Sequence, residues 1–446
     1  MYTSDNSIKV NVPSYSTEKE ETAHFGENER TGIVSLILLF WFIRIFKPEW
    51  IISFYIPSLK VLKPIPTALL LLFFLYMVVT FKKVRFDKPM LFFAVVTLIS
   101  TLFSSNFGFS TKILRWVFET LFIYSFAATF ITSEKSIKKL FVIYIASLII
   151  FSVWGIVGGG KVQAFLPLDD EDSFGPFMAI GVSLSYFIML SDESRFLKSL
   201  CFVSFFLCLA GAVASFARGT FLSLVLLFGY IFWRSENKVK FIVRSIAVAL
   251  VCFVLALAMF SDFFVRYKAE VSTIWEQGRE ENTANDRLYL WSRAWKMFVD
   301  NPVLGVGPGC YGFKIPLYIT REEAAQWGVR FQMYGRAIHN IYFELLSEMG
   351  SLGIAAFLSL LYAFWKRNRA VKRISRIIAS ERENGNVEKS VKNAPYYALA
   401  LEGSMIAFLA NSLFFNLLFY SWFWDIMILN TLLYQRIKNI EADIAR

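Results

Sequence analysis

A small set of polar residues in this chain has side chains that could bind an anion and move a proton. The 446 residues include two histidines, His24 in a polar N-terminal tail and His339 at the start of an apolar run. If a side chain works as a base near neutral pH, His339 is the leading candidate by elimination. Arg218 and Arg287 are candidate anion ligands, because a guanidinium group can bind phosphate through two parallel hydrogen bonds.

These three candidates also have ordinary structural interpretations. Arg218 could be an interfacial arginine whose charged end reaches the water. Arg287 could pair with Asp286 or Glu281 on the surface. His339 could be a polar group that caps a helix start. We favour the functional interpretation because the arginines, the histidine and a glycine-rich turn are predicted to share one membrane face. The helix dipole and the nearby cations would keep the imidazole neutral, which is the form that a general base needs.

Two further arginines, Arg336 and Arg115, are weaker candidates for this site, and a third, Arg293, is not one. Arg336 precedes His339 by three residues and could join a cationic site. Arg115 is followed four residues later by Glu119, a spacing that favours an ion pair on one helix, so we interpret it as structural. Arg293 lies on another side of a predicted loop helix and is expected to be solvated.

Long apolar segments dominate the composition. Hydrophobic residues make up 56% and aromatic residues 18% of the chain, and the mean hydropathy is +0.50. Lipid is the solvent that accepts so much apolar surface, so the sequence predicts an all-α, polytopic integral membrane protein. The net charge of +11 does not indicate nucleic acid. Lys and Arg cluster in the short connections between apolar runs, which is the pattern that orients membrane helices.

The hydropathy pattern divides the chain into four regions. Residues 1–30 are polar and lack the apolar core of a signal peptide, so they are predicted to be a disordered cytoplasmic tail. Residues 31–260 carry the N-terminal transmembrane helices and 261–338 form one large outer loop containing short helices. Residues 339–446 carry the C-terminal helices, with a basic cytoplasmic loop at 366–395. About twelve membrane helices are predicted, near 32–47, 64–81, 90–105, 114–131, 138–158, 174–191, 198–216, 219–233, 242–260, 339–364, 396–415 and 418–435.

The outer loop is predicted to contain two helices and an irregular turn. Helical character is present at Val271–Gly278 and Asp286–Val299. Apolar residues of the second helix recur at spacings of three and four and predict one apolar face, lying on the membrane or on the helix bundle. These residues are Leu288, Trp291, Trp295 and Phe298. Asn301–Gly309 is dense in Pro and Gly, which predicts a tight irregular turn.

The cysteines do not indicate a disulfide or a metal site. Cys201, Cys208 and Cys252 lie in apolar runs, where a free thiol behaves as a small hydrophobic group. Cys310 lies alone in a polar loop. No Cys/His spacing is typical of a metal site, and no residue pattern indicates a cofactor.

Five motifs, in their order along the chain, resemble those of the O-antigen ligase and O-antigen polymerase superfamily of bacterial membrane glycosyltransferases. They are Ser215–Gly219, Asp286–Trp291, Asn301–Gly309, His339–Tyr342 and Glu348–Gly353. The resemblance covers roughly Phe174–Tyr362, and the earlier spans match in hydropathy alone. Family members often carry an Asp-x-Asn element before the sixth span. Here Leu168–Gly175 contains acidic residues but no Asn.

The resemblance implies a metal-independent, inverting glycan transfer at the outer face of the bacterial inner membrane. The donor would be a glycan on a polyprenyl pyrophosphate such as undecaprenyl pyrophosphate, and the acceptor a hydroxyl group of the lipid A core or a similar molecule. Carried over, Arg218 and Arg287 would hold and neutralise the pyrophosphate leaving group. His339 would take the proton from the attacking hydroxyl. The implied partners are the lipid-linked donor, a lipid or glycan acceptor and membrane lipids.

Two alternatives stay open beside a ligase. The first is a polymerase of the same family, whose acceptor is another lipid-linked repeat, and the motifs do not separate the two. The second is a flippase or transporter of lipid-linked sugars. Transporters tend to show internal repeats and broken helices near the midplane. The sequence shows no repeat, and its polar residues gather in one outer loop, so transport is the less favoured interpretation.

The alternation of basic and cation-poor connections predicts that both chain ends are cytoplasmic and that 261–338 is outside. In a background without the native cysteines, an impermeant thiol reagent applied from outside should label Glu281→Cys and Glu322→Cys. It should not label Glu383→Cys in the basic loop. Labelling of the 366–395 loop from outside would overturn this topology.

Overall fold

The structure, a computed structural model, describes residues 27–62, 65–80, 84–163, 165–240, 242–243, 283–327, 333–381 and 389–445. Every regular element in these residues is a helix, so the all-α prediction is confirmed for them. The predicted helix at Val271–Gly278 and nearly all of the predicted span at 242–260 lie outside the described residues.

The α-helices are numbered in chain order. They are α1 Glu27–Phe46, α2 Pro48–Tyr55, α3 Ile65–Thr80, α4 Lys88–Leu102, α5 Phe107–Phe130, α6 Glu134–Val157, α7 Glu171–Met189, α8 Arg195–Ala214, α9 Arg218–Arg234, α10 Thr283–Asp300, α11 Tyr311–Lys314, α12 Arg321–Trp327, α13 Ile341–Glu381, α14 Lys389–Asn411 and α15 Ser421–Ile444. Short 3-10 turns lie at Pro57–Leu62, Leu166–Leu168 and Ile315–Tyr318.

Four of the described helices, α5, α6, α8 and α13, are long and apolar enough to cross a membrane. Shorter apolar helices lie at Gly32–Phe46, Ile65–Tyr76 and Lys88–Leu102. Together these helices indicate a multi-pass membrane protein. The total of about twelve spans and the outer position of 261–338 stay predictions.

Helix α7 is a central element of the bundle. It packs extensively against α8 and α14, and residues 173–185 are all buried. Small residues allow this close approach. A Cβ atom on Gly175 would lie 2.1 Å from Thr220 Oγ1, and one on Gly181 would lie 2.5 Å from Cys208 Sγ. The packing therefore fixes the position of α7 and of the acidic residues at its start.

At one end of the bundle, ion pairs connect segments that are distant in sequence. The pairs are Arg367–Asp87, Lys372–Glu402 (2.5 Å) and Lys138–Glu193 (2.9 Å). The carboxylate of each pair is buried, so removal of its cationic partner would leave an uncompensated charge in an apolar surrounding. Helices α7, α9 and α13 begin at the opposite end of the bundle, and the candidate site residues lie there.

Helix α10 confirms the predicted helix at Asp286–Val299, but its fully buried residues are not those of the predicted apolar face. Its buried apolar residues are Leu290, Ala294 and Met297. Two members of the predicted apolar face, Leu288 and Trp295, are 58% and 50% exposed. These two residues do not pack on the described bundle, which leaves the membrane as the surface predicted for them.

The expected solvation of Arg293 is wrong. Its side chain is buried in the outer segment, with its guanidinium 4.3 Å from the centroid of the Tyr289 ring. It donates a hydrogen bond to the carbonyl of Tyr318 (3.2 Å) and forms an ion pair with Glu323. The residues that follow α10 fold back over this face and supply two acceptors for the buried guanidinium.

The glycine-rich turn after α10 docks against a break in α13. The break is at Gly350, whose φ of 64° and ψ of −159° are not helical. Backbone hydrogen bonds join the two segments, from Val306 N to Ser347 O (2.8 Å), from Gly307 N to Glu348 O (2.9 Å) and from Ser351 N to Pro302 O (2.8 Å). The backbone groups freed by the break are thus paired with the turn, as an apolar environment requires.

Glycine is required on both sides of this contact. A Cβ atom on Gly350 would lie 2.4 Å from the carbonyl oxygen of Val303. Gly305 has a φ of 67°, and a Cβ atom there would lie 2.3 Å from the carbonyl carbon of Glu348. Backbone is the obstacle in each case, so a side chain cannot be accommodated by a rotamer change.

We expect Gly350→Ala to destabilise the protein, because its backbone conformation is one that essentially glycine alone adopts, at a cost of about 1–3 kcal/mol for other residues. The overlap with Val303 adds to that cost. The measurement is the melting temperature of the detergent-purified protein. Gly229→Ala is the matched control, because a Cβ atom on this α9 glycine meets no atom within 4 Å. Equal melting temperatures of the two variants would contradict the role assigned to the break.

Candidate functional site

The three main predicted site residues lie at or near the starts of three helices. Arg218 is the first residue of α9, and Arg287 lies in the first half of α10. His339 precedes α13, which begins at Ile341, two residues after the start of the span predicted near 339–364. Helix starts carry unpaired backbone N–H groups and a positive partial charge, so this end of the bundle favours anions.

The carboxylate of Asp172, in the first turn of α7, is a neighbour that both arginines share. A terminal nitrogen of Arg287 lies 3.7 Å from Asp172 Oδ2. Arg218 and Arg287 both act electrostatically on this carboxylate. Arg287 therefore has an acidic partner on a distant helix, which the surface interpretation did not include. Glu281, one of the partners in that interpretation, lies outside the described residues.

An aromatic residue between α14 and α15 is a second shared neighbour. The guanidinium carbon of Arg287 lies 5.9 Å from the centroid of the Phe414 ring. A Cβ atom on Gly219, the residue after Arg218, would lie 3.1 Å from the same side chain. Phe414 therefore lies against the start of α9 and beneath Arg287. Phe414 and Asp172 are thus two neighbours common to Arg287 and the start of α9, which brings Arg218 and Arg287 together although they are far apart in sequence.

Helix α10 is attached directly to the segment that holds His339. Trp291 lies one helical turn after Arg287, and its indole N–H donates to the carbonyl of Ile338 at 3.0 Å. Its ring also stacks on Phe343, with a centroid distance of 5.5 Å and an angle of 18°. Since residues four apart share a helix face, these contacts direct Arg287 towards His339.

His339 has a strained backbone and a half-buried imidazole. Its φ is 55°, a region that residues with a Cβ atom rarely adopt. The ring lies 5.8 Å from the ring of Phe415, and its Nδ1 is buried without a hydrogen-bond partner among the described residues. Strain and an unpaired polar atom together are typical of functional positions.

The electrostatic surroundings of His339 favour the neutral imidazole. Burial lowers its pKa below 6.5, and the cations Arg287 and Arg336 lower it further, while Asp170 acts in the opposite direction. A neutral ring can accept a proton, as a general base must. The lowered pKa agrees with the expectation from the sequence, which attributed it to the helix dipole and the nearby cations. Burial is its largest cause.

Asn340 fixes the backbone next to His339 by capping α13. Its side-chain oxygen accepts hydrogen bonds from the N–H groups of Tyr342 (2.9 Å) and Phe343 (3.1 Å). Its side-chain nitrogen donates to the carbonyl of Leu413, and its backbone N–H donates to Asn416 Oδ1, both at 3.1 Å. The same loop that carries Phe414 and Phe415 therefore holds the start of α13. An Asn directly before a helix is a sequence signal for this role.

The acidic stretch before α7 belongs to this site, which the sequence reasoning missed. Asp170 caps α7 by accepting a hydrogen bond from the backbone N–H of Asp172 at 2.7 Å. It also acts electrostatically on His339 and Tyr420. The signal was present in the sequence, because this acidic run faces the same predicted side as the arginines.

The two weaker candidates have different surroundings. Arg115 forms the ion pair with Glu119 that their spacing indicates, at 3.4 Å, and its side chain is exposed. Arg336 is also exposed, but it acts electrostatically on His339. In the part of the chain that the structure describes, no group of three or more His, Cys, Asp or Glu side chains could hold a metal ion.

Comparison with known proteins adds a family to this geometry. Residues 203–358 match the family model described as O-antigen ligase. No curated protein matches the chain. The matched segment contains Arg218, Arg287 and His339, together with the glycine-rich turn and the first part of α13. On this segment, the match supports the O-antigen ligase superfamily to which the sequence motifs point.

Proposed function

We propose that this protein is a membrane glycosyltransferase of the O-antigen ligase type. It would transfer a glycan from a polyprenyl pyrophosphate to a hydroxyl group of the lipid A core or a similar acceptor, at the outer face of the inner membrane. The observation that carries the proposal is the grouping of a neutral histidine with Arg287, which shares the carboxylate of Asp172 with Arg218. The family match supports the same class of reaction.

The arginines are suited to bind the pyrophosphate of the donor. A pyrophosphate carries more negative charge than one guanidinium can balance, so two converging arginines match it better than one. Arg218 also lies at the first residue of α9, where the helix dipole favours an anion. The 3.7 Å separation between Arg287 and Asp172 is a loose ion pair, which a phosphate oxygen could replace.

The reaction is a displacement at the anomeric carbon of the donor glycan. The acceptor oxygen forms the new bond to this carbon while His339 takes the hydroxyl proton. The bond between the carbon and the phosphate oxygen breaks, and the lipid pyrophosphate leaves with the electron pair. Fixed cations stabilise the charge that develops on the leaving group. A single displacement inverts the anomeric centre and needs no nucleophilic carboxylate.

A polymerase is the alternative within the same family. Its acceptor would be a second lipid-linked repeat, and the chemistry at the three residues would be unchanged. The glycan profile of a deletion strain separates the two. Loss of all long glycan from the acceptor, with polymer accumulating on the lipid carrier, indicates a ligase, whereas single-repeat products indicate a polymerase. Transport of lipid-linked sugars stays the less favoured class.

We expect Arg218→Ala and Arg287→Ala each to abolish glycan transfer while the protein still inserts into the membrane. Arg→Lys at either position should restore only part of the activity, because an ammonium group lacks the planar fork of guanidinium. Transfer is measured with purified lipid-linked donor and acceptor in detergent. Arg115→Ala is the control, since this exposed arginine pairs with Glu119, and it should retain full activity. Normal turnover in Arg218→Ala or Arg287→Ala would refute the assignment.

We expect His339→Ala to lower turnover by about 10²–10⁴-fold, which is the usual contribution of a positioned general base, with donor binding nearly intact. His24→Ala should have no effect. In the wild type, the lowered pKa keeps the imidazole neutral at a pH where free histidine is already protonated. The acid limb of the rate profile should therefore fall below about pH 6.5. Wild-type turnover of His339→Ala at saturating substrates would show that the base lies elsewhere.

A further inference from the structure

A cavity of about 280 Å³ lies beside the segment that leads to His339. Its wall runs through Arg336 and Ile338, so it ends one residue before the proposed base. Neither arginine of the proposed pyrophosphate site is among the described residues that line it. The cavity therefore adjoins the segment that carries the base, and neither arginine proposed to hold the leaving group forms part of its described wall.

The cavity contains an unpaired hydrogen-bond acceptor. Glu344, in the first turn of α13, is 9% exposed and lines the wall. Its Oε2 is buried and has no hydrogen-bond partner in the described parts of the chain. The side chain of Asn416 lies within hydrogen-bonding reach of the same carboxylate. A buried carboxylate oxygen without a donor is costly, so a ligand that supplies a donor would be stabilised here.

The remaining wall combines aromatic rings with a cation. Phe313 and Tyr334 line the cavity with ring centroids 6.2 Å apart and planes at 74°, and Tyr334 is 62% exposed at the rim. Arg336 is also exposed and can donate hydrogen bonds to oxygen atoms. A sugar ring offers hydroxyl donors, oxygen acceptors and an apolar C–H face. Binding pockets of this kind pair apolar aromatic walls with a few placed polar groups.

We propose that this cavity binds one sugar residue of the acceptor glycan, and that Glu344 Oε2 accepts a hydrogen bond from a hydroxyl group of that sugar. The inference rests on the proposed function, in which the acceptor is the molecule that His339 deprotonates. The donor glycan is the other possible source of a sugar. The cavity lies beside the segment that carries the base, and its described wall includes neither arginine of the pair, which assigns it to the acceptor.

Kinetics of Glu344→Gln test the proposal with little change of shape. The substitution replaces one acceptor oxygen by an N–H₂ group, which cannot accept a hydrogen bond from a hydroxyl group. We expect the KM for the acceptor to rise by about 10- to 100-fold, since the hydroxyl group of the bound sugar is left buried without its acceptor. Turnover at saturation and the KM for the donor should stay within about twofold. Glu322→Gln, on the exposed side of α12, is the control and should change none of these constants.

A second variant keeps the test valid if Glu344→Gln misfolds. Tyr334→Ala removes an exposed ring from the rim, so its melting temperature should equal that of the wild type. It should nevertheless raise the KM for the acceptor. An unchanged acceptor KM in both variants would overturn the proposal. A rise in the donor KM in place of the acceptor KM would assign the sugar to the donor and would overturn it equally.

Direct binding separates this proposal from the proposed function. The probe is the delipidated oligosaccharide of the surface glycolipid of the source bacterium, titrated without donor into the full-length protein in detergent and followed by calorimetry. Wild-type protein should bind it, and Glu344→Gln should bind it about 10- to 100-fold more weakly. If the protein binds the oligosaccharide in a way that depends on Glu344 but transfers no glycan, the proposed transferase function is refuted and the proposed sugar site is retained. Equal binding by both proteins would refute the sugar site.

Discussion

The break in α13 and the turn that repairs it determine where the site residues lie. In an apolar bundle each unpaired backbone group costs several kcal/mol, so a helix can break only where other backbone groups replace the lost hydrogen bonds. The turn at residues 302–309 does this for the break at Gly350. The side chain of Glu348 adds two bonds, accepting from the N–H groups of Gly309 (2.7 Å) and Tyr311 (3.0 Å). These hydrogen bonds therefore fix the position of the turn relative to α13.

The docking of the turn on α13 also fixes the segments before and after the turn. Before it lies α10, whose Trp291 reaches back to the carbonyl of Ile338, and after it lies the segment with Tyr311 that lines the cavity. At the start of α13, Asn340 binds the loop between α14 and α15. The positions of Arg287 and His339 are thus determined by one connected set of backbone and capping contacts. A loop that is polar in sequence becomes as well fixed as a helix.

Local structure could be predicted from the sequence better than contacts between residues that are distant in the chain. Apolar runs led to the all-α class, which the described residues confirm, because hydropathy is a property of single residues. The role of His339 as a base stays a prediction. The buried face of α10 was missed, since apolar spacing does not reveal which side a later segment will cover. Arg293 was misjudged for the same reason, because its acceptors come from residues around 318–323. The pairing of Arg287 with Asp172 depends on the packing of α7 and was equally beyond reach of local patterns.

Arg287, one of the two cations that would stabilise the leaving group, also adds to the effect of burial in lowering the pKa of the base, and this has a consequence for the order of events. Arg287 lowers the pKa of His339 in the protein without donor. Under the proposed function, a bound pyrophosphate would place negative charge beside Arg287 and offset its field at the imidazole. Nearby negative charge favours the protonated form of histidine, so the pKa of His339 would rise when the donor binds. A base of higher pKa takes a hydroxyl proton more readily. The imidazole would therefore be a weak base in the free protein and a stronger one once a glycan donor is in place, which couples activation of the acceptor to occupancy of the arginine site.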